Sequence, residues 1–190
     1  MTAVSELSPQ DEVLRRMSEA RNYNAWLLDR ARPYLGRRVL DVGAGIGTFT
    51  EELARVADEV VAVEPEEADL AQLRARFPDN SKVTVVDLDA GSLANADLGA
   101  PFDAAYCSNV LEHIADDVGA MRGVHAQLRP GGKLLALVPA HPFLYGATDR
   151  LVFHERRYTK ETLGTHLAEA GFHVDELRYV NPLGALGWLV

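Results

Sequence analysis

The chain has 190 residues, 47% of them apolar and 25% charged, and its net charge is -9 at pH 7. This length suits one domain with a full hydrophobic core, and the composition excludes disordered and fibrous proteins. The acidic residues are scattered and no block of Lys and Arg is present, which argues against nucleic acid as a partner.

The first predicted element is a helix. The segment SPQD, residues 8–11, has the pattern of a helix start with Ser8 as the N-cap. From there the helix runs toward Leu35, either continuous or broken near Asn22.

Six short apolar runs follow, and each predicts a strand. In chain order they are RRVLDV, DEVVAVE, KVTVVDL, FDAAYCSNV, GGKLLALV and FHVDELRYV. The segments between most of them have helical periodicity. One predicted helix extends to Leu128, and the last is capped by Thr159 and closed by Gly171. This alternation predicts an α/β fold, a doubly wound and mostly parallel sheet with helices on both faces.

We expect a single globular domain overall. Within it, residues 1–36 form an N-terminal helical cap and residues 37–190 form the ligand-binding part. Ligands of such sheets lie beyond the carboxyl ends of the strands, so the strand-to-helix loops are the places for a site.

The most informative loop follows the first strand, in VLDVGAGIGTF. Gly43, Gly45 and Gly47 nearly match the dinucleotide fingerprint Gly-x-Gly-x-x-Gly, whose third glycine would fall at Thr48. Asp41 ends the strand, where its carboxylate would repel a pyrophosphate and attract a cationic ligand. We favour a cationic ligand, with a nicotinamide cofactor and a plain tight turn as the alternatives.

Two further acids end the second and third strands. Glu64 follows Asp41 by 23 residues, near the spacing of an acid that binds a ribose diol, and Asp89 could accept a bond from an adenine amino group. Taken singly, Glu64 before Pro65 could also be a helix cap, and Asp87 or Asp89 a turn acid.

The motifs in order carry a resemblance. VLDVGAGIGTFT, VVAVEP, DLDAGSL, FDAAYCSNVLEHI and LRPGGKLLALVP together resemble class I S-adenosylmethionine-dependent methyltransferases, in the group similar to ubiquinone and menaquinone biosynthetic enzymes. The resemblance implies a Rossmann-like fold, S-adenosyl-L-methionine as cofactor and S-adenosyl-L-homocysteine as product. The cofactor-binding residues that it implies are Asp41, Gly43, Ala44, Gly45, Glu64, Pro65, Asp89, Ala90 and Asn109.

The resemblance also sets an expectation for the end of the chain. Class I sheets usually close with a seventh strand, whereas this chain stops after six predicted strands, in the apolar segment PLGALGWLV. We expect a sheet that lacks or truncates its last strand, because the chain is a shortened form of something longer.

Methyl transfer from a sulfonium is an in-line displacement, so a base is needed only when the acceptor atom carries a proton. His113 and Glu112 follow the fourth strand and His141 follows the fifth, which makes them the candidate catalytic residues. A structural role is the alternative for each. We expect a small-molecule acceptor methylated on oxygen, with carbon and nitrogen left open.

The loop over residues 139–158 is long enough to be a lid or a binding segment. The alternative is that its arginines form surface ion pairs and its aromatic residues close the core. No histidine and carboxylate cluster shows ligand spacing, so no catalytic metal is expected, and Asp116 and Asp117 predict a helix cap. The candidate acceptor-binding residues are Tyr23, Tyr145, His154, Arg157 and Tyr158.

The single cysteine, Cys107, and the lack of a signal-like apolar stretch predict a reducing compartment, and we expect the cytoplasm. No apolar run approaches the roughly 20 residues that cross a bilayer, so membrane insertion is not expected. The oligomeric state is left open. A cofactor-binding partner protein without catalysis remains the alternative function, with PLGALGWLV as its contact surface.

Overall fold

The computed structural model describes Arg15 and residues 18–180. The predicted helix start at Ser8 and the apolar segment 182–190 lie outside the described residues. The helices are α1 (Arg21–Leu35), α2 (Thr48–Val56), α3 (Glu67–Arg76), α4 (Asp117–Gln127), α5 (Ala147–Leu151) and α6 (Lys160–Glu169). The strands are β1 (Arg38–Val42), β2 (Glu59–Val63), β3 (Val83–Val86), β4 (Phe102–Ser108) and β5 (Leu128–Leu137), and short 3-10 helices cover Ala90–Asn95, Leu111–His113 and Pro142–Leu144.

The five described strands form one parallel sheet in the order β3-β2-β1-β4-β5. Asp41 of β1 lies beside Ala62 of β2 on one side and Tyr106 of β4 on the other. The chain moves outward from β1 through β2 to β3 and then returns to the other side of β1. The predicted α/β class with a doubly wound parallel sheet is confirmed.

Alternate residues of β1 are buried on opposite faces of the sheet. Leu40 and Val42 belong to a core cluster with residues of α4 and α6, whereas Val39 belongs to a cluster with residues of α1 and α2. Because both faces are covered by helices, both sets of side chains must be apolar, which is why the strands are continuous hydrophobic runs.

The N-terminal helix shares the core of the sheet. Leu28, Ala31 and Leu35 of α1 are buried in the same cluster as Val39 and Leu53. The helix begins at Arg21 after a non-helical Ala20, so the predicted interruption lies two residues before Asn22. The described part of the predicted N-terminal helical segment therefore packs directly against the sheet and α2.

Two predicted helix caps are confirmed. The Asp116 carboxylate accepts a hydrogen bond from Gly119 N at 2.9 Å, at the start of α4. The Thr159 hydroxyl accepts one from Thr162 N at 3.0 Å, at the start of α6. Each cap satisfies a backbone donor that the first helical turn leaves without a partner.

The sequence predictions for the end of α4, for the start of β5 and for the sixth strand are wrong. α4 ends at Gln127, and Leu128 pairs with Phe102 in β5, before a register shift that brings Lys133 opposite Ala104. The turn residues 129–132 therefore form an irregularity inside the strand. The segment FHVDELRYV is not a strand in the structure, because no described neighbour supplies the backbone hydrogen bonds that a strand needs.

Candidate functional site

Two loops meet at the carboxyl ends of the central strands β1 and β4. These strands are neighbours although β2 and β3 lie between them in the chain, and ligands of doubly wound sheets bind at such a switch point. One loop is the glycine loop, residues 43–47, and the other is residues 109–113. They are in close contact, since a Cβ atom on Gly43 would lie 2.4 Å from Cγ2 of Val110.

The glycine loop requires its glycines for both conformation and packing. Gly43, Gly45 and Gly47 have φ values of 64°, 53° and 85°, in the region that L side chains disfavour. A Cβ atom on Gly47 would also lie 2.8 Å from side-chain atoms of Leu73 and Phe77. The loop therefore packs tightly between the start of α2, the end of α3 and the second loop.

Asp41 is a buried carboxyl group next to this loop. The Thr50 hydroxyl donates a hydrogen bond of 2.6 Å to it from α2. Burial raises the pKa of Asp41 to about 7, an effect that Thr50 reduces and the charge of Glu64 increases. A cation beside Asp41 would favour the ionised form, so the group suits a positively charged ligand. Thr50 was not predicted from the sequence as a site residue. The one feature that could have indicated it is a hydroxyl group on the buried face of α2.

Glu64 lies just after β2 and holds the glycine loop. Its Oε2 atom accepts a hydrogen bond from Gly45 N at 2.8 Å, and its Oε1 atom accepts one from Glu66 N at 2.9 Å. Burial raises the pKa of Glu64, while these two backbone donors lower it. Glu64 is not the helix cap left open by the sequence, because Glu66 is the N-cap residue of α3 and no side chain caps that helix; a ribose contact stays a prediction.

Asp89 caps the 3-10 helix Ala90–Asn95. It accepts hydrogen bonds from Ser92 N at 3.0 Å and Ser92 Oγ at 2.6 Å, and the bond from the Ser92 hydroxyl lowers the pKa of Asp89. The turn-acid interpretation is therefore present in the structure. Ala90 is buried beside it, and contact of either residue with an adenine ring stays a prediction.

Asn109 marks the end of β4. Its backbone has φ of 55°, which is uncommon outside glycine, and its N–H donates to the Leu137 carbonyl at 2.8 Å. The side-chain amide lies 3.3 Å from the Ser108 hydroxyl. This turn directs the following residues, 110–113, back across the end of the sheet toward Gly43.

Glu112 and His113 follow in the 3-10 helix Leu111–His113. Glu112 is completely buried, and neither of its carboxyl oxygens has a hydrogen-bond partner in the described part of the chain. Burial raises the pKa of Glu112 to about 8. Burial, together with the nearby His154, lowers the pKa of His113 to about 4. At neutral pH, Glu112 is mainly protonated and His113 is uncharged.

Residues 139–158, which we call the lid segment after the role predicted for them, bring His154 to this pair. The rings of His113 and His154 meet edge to face with centroids 4.7 Å apart, and His154 Nε2 lies 3.9 Å from Glu112 Oε1. The sequence shows no histidine and carboxylate cluster with ligand spacing, but the fold brings Glu112, His113 and His154 together in space. His154 lies 41 residues after His113 in the chain, too far for a short sequence motif to include both.

Behind His154 lies a buried ion pair. Asp149 accepts hydrogen bonds from His154 Nδ1 at 2.9 Å and from Arg157 Nε at 2.7 Å and Nη2 at 3.0 Å. Burial raises the pKa of Asp149, but the bonds from Arg157, Gly146 and His154 outweigh it, so the pKa is lowered. Arg157 is therefore bound to Asp149 inside the lid, in a buried pair instead of the surface pair considered from the sequence.

The remaining acceptor-binding candidates divide into two groups. Tyr145 joins Glu112, His113 and His154 in what we call the lid cluster, because its hydroxyl donates to the His154 carbonyl at 2.6 Å. Tyr158 is buried in the core, and its hydroxyl donates to Asp117 at 2.7 Å. Tyr158 thus fits the alternative in which lid aromatics close the core, and its contact with an acceptor stays a prediction.

Tyr23 and His141 contact other aromatic rings. Tyr23 stacks on Trp26 of α1 with centroids 5.9 Å apart. His141 stacks on Tyr179 with centroids 4.7 Å apart. The structure therefore brings Glu112, His113 and His154 together, whereas His141, the third catalytic candidate, makes its ring contacts elsewhere.

A groove of about 950 Å³ lies away from the two loops. It follows the outer edge of β5 and is also lined by residues of α1 and of the segment 171–180. None of the glycine-loop or lid-cluster residues lines it. Among the described residues, every helix is too short or too polar to span a lipid bilayer.

The methyltransferase domain family matches residues 40–134, half of the chain. A ubiquinone biosynthesis O-methyltransferase of Ruegeria pomeroyi is 34% identical over 105 residues, covering 55% of this chain and 42% of the relative. A probable S-adenosylmethionine-dependent methyltransferase of Mycolicibacterium smegmatis is 33% identical over 144 residues, covering 74% and 54%. The chain spans about half the length of the curated relatives it matches.

Solved structures share the fold. An S-adenosylmethionine-dependent methyltransferase from Mesorhizobium loti superposes with a TM-score of 0.64 at 27% identity, covering 80% of this chain and 82% of that one. The N-methyltransferase NodS from Bradyrhizobium japonicum, in complex with S-adenosyl-L-homocysteine, superposes with a TM-score of 0.62 at 21% identity, covering 78% and 73%.

Proposed function

The chain belongs to the class I S-adenosylmethionine-dependent methyltransferases, and we propose that it transfers a methyl group to the oxygen of a small-molecule acceptor. The observation that carries the proposal is the pairing of the glycine loop with two buried carboxyl groups at the switch point of the sheet. Glu64, which follows β2, accepts a hydrogen bond from Gly45 of this loop, and Asp41 of the neighbouring β1 accepts one from Thr50 in the helix that follows the loop.

The residues present fit this cofactor. Its ammonium and sulfonium groups are cations, and Asp41 is a buried carboxyl whose pKa near 7 leaves it open to ionisation by a cation. Its ribose offers two hydroxyl donors, which one carboxylate can accept together, as proposed for Glu64. The absence of side chains on Gly43 and Gly45 lets the loop backbone approach a ligand closely.

When bound, the cofactor supplies an electrophilic methyl group on a positively charged sulfur. In the proposed arrangement, Asp41, Gly43, Ala44 and Gly45 bind its methionine end and Asn109 lies beside them. The ribose is bound by Glu64 next to Pro65, and the adenine by Asp89 and Ala90. The close contact between Gly43 and Val110 joins this site to the loop that carries Glu112 and His113.

We propose that the acceptor binds between the loop of residues 109–113 and the lid segment. A hydroxyl acceptor must lose a proton, and the neutral imidazole of His113 can accept one at pH 7, whereas Glu112 is mainly protonated there. The ubiquinone O-methyltransferase relatives support oxygen as the methylated atom. His154 contacts His113 and Tyr145 contacts His154, so we propose these two lid residues for the acceptor, and Tyr23, His141, Arg157 and Tyr158 remain further candidates.

The proposal also covers the cellular compartment and the class of acceptor. We place the protein in the cytoplasm, supported by a buried cysteine as its only cysteine. The net charge of -9 supports a small acceptor over nucleic acid.

The test is calorimetric titration of the purified chain with S-adenosyl-L-homocysteine, with NADH titrated in parallel. Saturable binding of the first alone supports the cofactor assignment, and binding of NADH alone overturns it. Transfer of a radiolabelled methyl group to a panel of phenols, catechols and amines then tests the acceptor class. Labelling of amines without labelling of any hydroxyl compound would overturn oxygen as the acceptor atom.

A further inference from the structure

We propose that Glu112, His113 and His154 bind one divalent transition-metal ion of the zinc class, clasping the lid to the end of β4. The inference goes beyond the proposed methyl transfer and does not depend on it; in the metal-bound protein His113 is a ligand and no longer the proton acceptor. One potential ligand atom from each residue lies within 4.8 Å of the other two. Two imidazoles and a carboxylate are a ligand set that first-row metals take up, and three protein ligands leave a position open for water or an acceptor oxygen.

Glu112 is buried in a state that a metal ion would stabilise. A buried carboxyl group without a hydrogen-bond partner is costly, and buried acidic groups are normally paired, hydrogen-bonded or bound to a metal. Glu112 is completely buried, and neither oxygen has a hydrogen-bond partner in the described part of the chain. Its Oε1 atom lies 3.9 Å from His154 Nε2, too far for a hydrogen bond between them. A metal ion between the two groups would satisfy both.

His154 has the orientation of a metal-bound histidine. Metal-bound histidines almost always donate their other ring N–H to a carboxylate or a backbone carbonyl. His154 has this partner, because its Nδ1 atom lies 2.9 Å from Asp149 and its Nε2 atom faces Glu112. The His154 ring therefore keeps its Nε2 atom for a metal.

The residues behind His154 are held in place by further hydrogen bonds. Asp149 is fixed by Arg157 and by Gly146 N, so the carboxylate that orients His154 is itself held in place. The Glu155 N–H donates to the Glu112 carbonyl at 2.7 Å, which joins the lid backbone to the 3-10 helix beside the ligands. The ligand atoms of the three residues lie up to 4.8 Å apart, which is wider than the distance between two ligand atoms of one zinc ion. A small inward movement of the side chains would complete the site.

The test is metal titration of the full chain, purified without a histidine tag and stripped with a chelator. Calorimetry with Zn²⁺ should give one equivalent, and Co²⁺ should give the visible absorption of a four- or five-coordinate ion with nitrogen ligands. His154→Gln and Glu112→Gln should each weaken binding by at least about 10-fold. The matched control is His173→Gln, a highly exposed histidine outside the cluster, which should bind as the parent does.

Absence of stoichiometric binding by the parent chain would overturn the proposal, and so would equal affinity in His154→Gln and the parent. Circular dichroism checks that each variant is folded. If Glu112→Gln does not fold, His113→Gln and His154→Gln decide the result. Titration with S-adenosyl-L-homocysteine on the same samples separates the two proposals, because metal binding without cofactor binding removes only the proposed function, and the reverse result removes only the metal site.

Discussion

Glu64 Oε2 accepts a hydrogen bond of 2.8 Å from the backbone N–H of Gly45, which ties the end of β2 to the middle of the glycine loop. Glu64→Ala should weaken binding of S-adenosyl-L-homocysteine by about 1–3 kcal/mol, because it removes both the support of the loop and the proposed ribose acceptor. Isothermal calorimetry measures the change. Glu67→Ala, which removes an exposed acid three residues later, is the matched control. Unchanged affinity in Glu64→Ala would mean that the cofactor lies elsewhere.

Gly43→Ala should abolish cofactor binding and destabilise the fold. The new Cβ would lie 2.4 Å from Val110 Cγ2, and the positive φ would add strain of about 1 kcal/mol. The double variant Gly43→Ala with Val110→Ala should recover part of the lost stability, since it relieves the clash and leaves the strain. Urea unfolding of the two single variants and the double variant gives the coupling. Simple additivity would show that the two loops do not touch.

The stability of the cofactor-free protein should depend on pH through Asp41. Its pKa is raised from 3.8 to about 7 on folding, so the folded state binds the proton more tightly than the unfolded state. This contribution is complete below about pH 4 and is lost as the pH rises to about 7. Asp41→Asn keeps an acceptor for Thr50 without the charge. The difference in unfolding free energy between pH 5 and pH 8 should therefore be smaller in the variant by about 1–3 kcal/mol, measured by urea denaturation.

Removing the charge of Arg157 should strongly destabilise the protein. Arg157→Met would leave the Asp149 carboxylate buried without its main cationic partner, which costs about 3–5 kcal/mol in comparable buried pairs. Urea unfolding measures the loss. Arg150→Met, at an exposed position of the same lid, should change stability by less than about 0.5 kcal/mol. Equal stabilities of the two variants would show that the buried pair is not formed.

Tyr158→Phe separates a core role from an acceptor role. The hydroxyl donates to Asp117, which also binds His166 Nδ1 at 2.8 Å and Arg156 at 2.9 Å. Its loss should cost about 1–3 kcal/mol of unfolding free energy, because the partner is charged. Tyr34→Phe, at an exposed tyrosine of α1, is the control. Unchanged stability with a higher KM for the acceptor would instead place Tyr158 in the acceptor site.

The sequence by itself determined the strand-helix alternation, the parallel sheet, the glycine loop and the acids at the strand ends. These features are local, because apolar periodicity, capping residues and glycine conformation act over a few neighbouring residues. The capping roles of Asp116 and Thr159 follow from the same local chemistry, and both are present in the structure.

Only the tertiary structure decided which distant groups meet. The register shift inside β5 depends on pairing with β4, and FHVDELRYV is not a strand because no described strand lies beside it. Packing of the lid against the end of β4 brings His154 to Glu112 and His113 and buries Arg157 on Asp149. Such contacts join segments far apart in the chain, and the burial that shifts their pKa values exists only once the segments have packed.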